Sequence, residues 1–234
     1  GRLDCTNIIT PDLSVITNIS FDHVQFLGNT LAKIAGEKAG IIKPGVPVVI
    51  GETTEETKKV FKDKSLEMNA PIRFAEEEHE IISSRPEGNT RVYETLHYGS
   101  FIGELGGLCQ EKNTATILAA IDELRKAGYI IAQEHIELGF GHVCKLTGLR
   151  GRWQQLGTRP TVICDTGHNT GGISYIAEQL ECVQADKLHI IIGMVNDKDI
   201  HSVLQQLPKC AIYYFTKASV KRALNDHTLQ TLAQ

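Results

Sequence analysis

The sequence predicts an α/β protein in two parts, each built on a parallel sheet. Three observations carry that reading. Short β-branched runs alternate with helical patterns over residues 13–75, the alternation stops in a stretch with period two, and it restarts after residue 160. Strands alternating with helices call for a parallel sheet covered on both faces.

Taken in order, "LSVITNI" (13–19) reads as a buried strand and "TLAKIAGEKAG" (30–40) as a helix stopped by Gly40. "VPVVIG" (46–51) is a strand, 54–69 a charged amphipathic helix, and "PIRFA" (71–75) a strand again. "RVYETLHYGSFIGEL" alternates in steps of two, so antiparallel strands turning through "HYGS" are expected there. A long helix follows over 113–128, with Asn113 as its start and Gly128 as its stop. "LTGLRGRWQQLGTRP" (146–160), rich in glycine, reads as the link to the second part, with the boundary between 1–149 and 150–234. Beyond it come "TVICD", "GGISYIAEQLE", "KLHIIIGM", "DIHSVLQQL", "CAIYYFT" and "VKRALNDHTLQTLAQ", three strand–helix repeats of an open, Rossmann-like parallel sheet. No closing strand follows, and the chain opens on "GRLDCTN" without a methionine, so both ends are expected to be cut.

The 234 residues are 41% hydrophobic, enough for a core, and the net charge is −4 from 24 basic and 28 acidic residues. The charges are interspersed, which disfavours nucleic-acid or membrane-surface partners. No apolar run approaches the ~18 residues a spanning helix needs, and there is no signal-peptide pattern. Six cysteines without a C-x-x-C pair predict buried, reduced thiols of a cytoplasmic protein rather than a zinc site or disulfides.

Ligands of open α/β sheets collect at the carboxyl ends of strands. Asp22 and His23 follow the first strand, as a ligand pair or as a turn residue and a satisfied polar group. Lys38 sits on the next helix between small neighbours that permit close approach of a ligand or of backbone; a solvated helical lysine is the alternative. In "CDTGHNTGG", Asp165 can accept from a ribose hydroxyl, and His168 and Asn169 stand where a helix N-terminus favours anions; a plain N-cap with a glycine turn fits equally. Asp197 or Asp199 in "GMVNDKD" reads as an ordinary N-cap. The arginines of "RGRW" suit phosphate, or are surface residues. No G-x-x-x-x-G-K-[ST], G-x-G-x-x-G after a strand, H-E-x-x-H or G-x-S-x-G occurs. The residues alone define an α/β protein with an anion- or nucleotide-binding cleft.

The motifs together go further. "GRLDCTN", "VITNISFDHVQFLGNTLAKIAGEKAGIIKPGVPVVIG", "LCQEKNTATILAAI", "RGRWQQL", "VICDTGHNTGG" and "GMVNDKD", in this order across nearly the whole chain, resemble the folylpolyglutamate synthase/dihydrofolate synthase group of the Mur ligase superfamily. The resemblance implies part of a Mur-ligase-type central ATPase domain followed by a smaller C-terminal ligase domain. It implies a monomeric, cytoplasmic enzyme that joins L-glutamate to a folate or dihydropteroate carboxylate through an acyl phosphate, using ATP and Mg²⁺. His23 then corresponds to a Mg²⁺ ligand and Lys38 to the family's carbamylated lysine, whose CO₂ adduct turns a cation into an oxygen ligand suited to a hard ion. Asp22 would orient His23 or hold a water. Asn113 corresponds to the reader of the adenine edge, Arg152 to the arginine reaching the ATP phosphates, Asp165 to the aspartate near the ribose, and His168 to a histidine facing the nucleotide or the amino acid. Asn18 would line the phosphate channel. Cys109 departs from the histidine or tyrosine of relatives.

The family's P-loop and the glutamate that binds its other Mg²⁺ are expected upstream of Gly1, and a glycine–serine strand beyond the end. The chain is therefore expected to be a fragment that does not turn over ATP by itself. A peptidoglycan-type Mur ligase is the nearest alternative, against which "IAGEKAGIIKPG" argues. A non-catalytic, P-loop-less nucleotide-binding relative is the alternative from another class, and in it Lys38→Ala would leave function untouched.

Overall fold

Val48, Val49 and Ile50 lose all contact with solvent, because a run of three apolar, β-branched residues meets neighbours on both of its faces. The computed structural model describes residues 1–20 and 30–234. In it β2 (Val48–Ile50) lies between β1 (Ser14–Ile16) and β3 (Ile72–Phe74), all parallel, with Ser14 opposite Val48 and Val48 opposite Ile72. Helix α1 (Leu31–Ala39) starts where Thr30 Oγ1 accepts from the Lys33 amide and buries Ala35 and Ala39 against this sheet. Helix α2 (Glu55–Glu67) opens on a Thr54/Thr57 capping box and inserts Phe61 into the same cluster. Each fully buried side chain of this size contributes about 1.5–3 kcal/mol.

The period-two stretch is an antiparallel meander, β4 (Ile81–Glu87), β5 (Thr90–Thr95) and β6 (Ser100–Gly103). Its β5–β6 turn runs through "LHYG", one residue earlier than the expected "HYGS", because Ser100 already pairs with Glu94 as the first residue of β6. Tyr93, Phe101 and Phe140 pack together with tilted rings, the last two with centroids 4.8 Å apart.

Helix α3 spans Gln110–Lys126. It begins one turn before Asn113, because a turn in which the Gln110 amide donates to Gly107 O and that of Glu111 to Leu108 O extends it backwards. Gly128, at φ +97°, follows its end. Helices α4 (Gln133–Gly141) and α5 (Val143–Thr147) fall where the pattern is weak.

The expected link at 146–160 is in part a strand. β7 (Gln154–Thr158) pairs antiparallel with β8 (Thr161–Cys164) across Arg159-Pro160. "TVIC" is thus half of a hairpin rather than a member of a parallel sheet, since the two-residue turn returns it directly onto β7. By compactness the first unit comprises Gly1–Ile19 and Thr30–Thr166, so this hairpin belongs to it; the sequence-based boundary lies at 149/150.

The second unit comprises the described Ser20 together with residues 167–234. It holds α6 (Thr170–Glu181), β9 (His189–Ile192), α7 (Ile200–Gln206), β10 (Ile212–Phe215) and α8 (Asp226–Leu232), with β9 and β10 parallel. Ile173, Met194, Val203, Leu207 and Leu229 form its core. α8 is shorter than the expected 220–234 helix, because Ala223 bridges to Val195 and Asn225 caps the helix by accepting from the Thr228 amide. The buried-cysteine expectation fails: all six thiols are free, but Cys5, Cys182 and Cys210 are exposed and the other three half-buried. Among the described residues no helix is long and apolar enough to cross a membrane.

Candidate functional site

The carboxyl ends of β1 and β2 meet the side of α3. Beyond the strands the Gly51 amide donates to Ile16 O and that of Glu52 to Thr17 O, both at 2.8 Å. A Cβ on Gly51 would stand 2.2 Å from Thr17 O and 2.5 Å from Thr116 Oγ1, so only glycine admits this approach. Lys112 of α3 pairs with Glu52. Alongside opens a cavity of about 180 Å³ lined by Glu52, Glu76, His79, Glu80, Glu111 and Lys112, among others. Its carboxylates are engaged: Glu52 by Lys112, Glu76 by Thr53, Glu80 by His97 and Glu111 by Ser84.

A second corner of the first unit forms where the start of α3 meets the hairpin. Gly151, at φ +71°, lies so close to Thr166 that a Cβ would be 2.6 Å from its methyl group. The Thr166 amide donates to Gly151 O at 2.9 Å, and Arg152 Nη1 donates to Thr166 Oγ1. Trp153 takes φ +51°, costly for a large side chain. Its amide donates to Asp165 Oδ2 at 2.7 Å, a charge-assisted bond that holds this conformation. Gly107 faces Trp153, with its Cβ direction 3.7 Å from Trp153 Cβ and 3.9 Å from Cys109 Sγ. Burial, and then the Asp165 carboxylate, push the Cys109 thiol up, while Arg152 acts in the opposite sense. Asn113, one turn along α3, donates from Nδ2 to Gln110 Oε1 at 3.2 Å.

Three sequence-identified residues, Asn113, Arg152 and Asp165, are thereby gathered in one corner. Trp153, Gly107 and Gln110 complete it. Of these only Trp153, the chain's one tryptophan, carried a signal, standing beside two arginines. Lys38 is elsewhere, half-buried in the last turn of α1. Its small neighbour Gly40 serves backbone approach: a Cβ there would be 2.8 Å from Arg2 Cα, and Arg2 clasps Glu37 with two hydrogen bonds of 3.0–3.1 Å. Asn18 is half-buried just past β1. His168 lies exposed in the second unit, next to Asn169, which caps α6 by accepting from the Gly172 amide at 2.8 Å. Asp199 caps α7 in the same way, as expected, and Asp197 pairs with Arg222. Asp22 and His23 lie outside the described residues. Among those described, no group of three or more His, Cys, Asp or Glu is placed to hold a metal ion.

Residues 151–234 match the Mur ligase glutamate ligase domain. The class that this match defines for the C-terminal part of the chain is the Mur ligase type of domain. The chain is 30% identical to the dihydrofolate synthase/folylpolyglutamate synthase of Bacillus subtilis over 97% of its own length and 54% of that protein's. It superposes on Mycobacterium tuberculosis folylpolyglutamate synthase complexed with ADP at a TM-score of 0.88, with 28% identity, covering 100% of this chain and 53% of the other. A bifunctional folylpolyglutamate synthase/dihydrofolate synthase with Mn, AMPPNP and L-glutamate bound matches at 0.76, with 27% identity over 99% and 54%. Over nearly its whole length the chain is similar to folylpolyglutamate synthase/dihydrofolate synthase proteins, and it spans about half the length of the relatives it matches.

Proposed function

We propose that this chain is the nucleotide-side portion of an ATP-dependent ligase that joins L-glutamate to a folate or dihydropteroate carboxylate by way of an acyl phosphate. The observation that carries the reading is the corner of Asn113, Arg152, Trp153 and Asp165. It presents an amide able to donate and accept toward a base, a guanidinium for phosphate and a carboxylate fixed by backbone, suited to a ribose hydroxyl. Relatives crystallised with ADP, and with AMPPNP and L-glutamate, support it.

In this reading residues 1–149 are the C-terminal part of the central ATPase domain and 150–234 the ligase domain, His168 faces the nucleotide or the amino acid, and Asn18 lines the phosphate channel. A monomeric, cytoplasmic enzyme without nucleic-acid partners goes with it. A divalent ion would neutralise charge on the transferring phosphoryl group. In this reading its ligands are His23, which lies outside the described residues, and Lys38.

The test is equilibrium binding of ATP followed by Trp153 fluorescence. Saturable quenching that Asn113→Ala and Asp165→Ala weaken about tenfold, the scale of one charge-assisted hydrogen bond, is expected. Nucleotide binding indifferent to both substitutions would sink the assignment. For Lys38, a ¹³C resonance from labelled CO₂ that disappears in Lys38→Ala is expected.

A further inference from the structure

Arg91 is the single buried lysine or arginine among the described residues, 3% exposed on β5. Among the described residues its guanidinium makes one hydrogen bond, from Nη1 to Ser84 Oγ at 2.7 Å. Its Nε is buried and unsatisfied. A buried cation without a carboxylate directly against it is costly, and such a group calls for an explanation. Ser84 supplies one, because its hydroxyl, accepting from Arg91, donates in turn to the Glu111 carboxylate. Glu111 lies in the first turn of α3, the turn whose Gln110 holds the Asn113 amide. A cation–hydroxyl–carboxylate chain therefore ties β5 and β4 to the start of α3. The same sheet reaches the hairpin, since Asn89 Nδ2 donates to Gln155 Oε1.

We propose that Arg91 is a positioning residue for nucleobase recognition, acting through Ser84 and Glu111 to fix the α3 turn on which Asn113 presents its amide. The inference rests on the reading of Asn113 given above. A turn held rigidly orients the amide's donor and acceptor, and a rigid pair rejects a base with the wrong pattern more strongly than a loose one. A mere strut would stabilise the fold without altering which base is preferred.

The test compares ATP with ITP, whose base replaces the exocyclic amine by an oxygen, using Trp153 fluorescence to obtain both affinities. Arg91→Met is expected to reduce the ATP-over-ITP ratio about tenfold, with Arg91→Lys in between. Glu111→Gln, at an exposed position where the fold is not at risk, is expected to act in the same direction. The Arg91→Met/Glu111→Gln double variant should lose less than the sum of the two. Amide hydrogen exchange at residues 110–113 should quicken in Glu111→Gln even without nucleotide. Equal weakening of ATP and ITP, additive losses, or an unchanged ratio in variants of Arg91 and Glu111 while Asn113→Ala abolishes it would overturn the inference alone. An unchanged ratio in Asn113→Ala, or no nucleotide binding, would overturn the reading of Asn113 and this inference with it.

Discussion

Strands β2 and β9 have nearly the same sequence character, "VVI" and "HIII", and different fates. All three residues of β2 are fully buried, whereas in β9 they alternate and Ile191 is 76% exposed. β2 is flanked by strands on both edges and covered by α1 and α2 on one side and α3 on the other. β9 pairs with β10 alone among the described residues, and the face that carries Ile191, Ile212 and Tyr214 is open. An apolar run states what a strand needs, but the number of neighbouring elements decides how much of the need is met.

The sharpest way to break that contrast is a pair of truncations read by urea unfolding. Ile50→Ala is expected to cost about 2–5 kcal/mol, the transfer term plus a cavity. Ile191→Ala is expected to change stability by no more than about 0.5 kcal/mol. Equal losses would mean that the outer face of β9 is covered in solution. Helix caps probe the two units more gently. Thr54→Ala in the first unit and Asn169→Ala in the second should each cost about 1 kcal/mol, visible as separate shifts in the melting profile. A loss at Thr54 alone would mark α6 as held by packing rather than by its cap.

The smallest effect is a pH dependence confined to the first unit. His97 Nδ1 lies 2.7 Å from the buried Glu80 carboxylate. That hydrogen bond, and next the charge of Glu80, raise the His97 pKa above its ordinary value. A raised folded-state pKa adds stability that is complete below the unfolded value of about 6.5 and fades as pH rises through the folded one. The melting temperature should thus drift down over that window, and His97→Ala should flatten the drift. An unchanged slope in the variant would remove this pair from the account.

The sequence by itself determined the elements with strong local signals. The parallel β1–β3 segment follows from β-branched runs alternating with a 3.6-residue period. The turn between β5 and β6 follows from Gly99, and the stop of α3 from Gly128, both at positive φ. The motif resemblance also picked out Asn113, Arg152 and Asp165, although nothing in their spacing says that they meet.

Tertiary structure alone decided the rest. It made "TVIC" half of a hairpin, began α3 a turn early, left three of the six cysteines exposed, and brought residues 91, 84 and 111 into one chain. The physical reason is shared. Periodicity and turn chemistry are local, written within a few residues, whereas strand partners, side-chain burial and a hydroxyl set between a cation and a carboxylate depend on segments far apart in sequence.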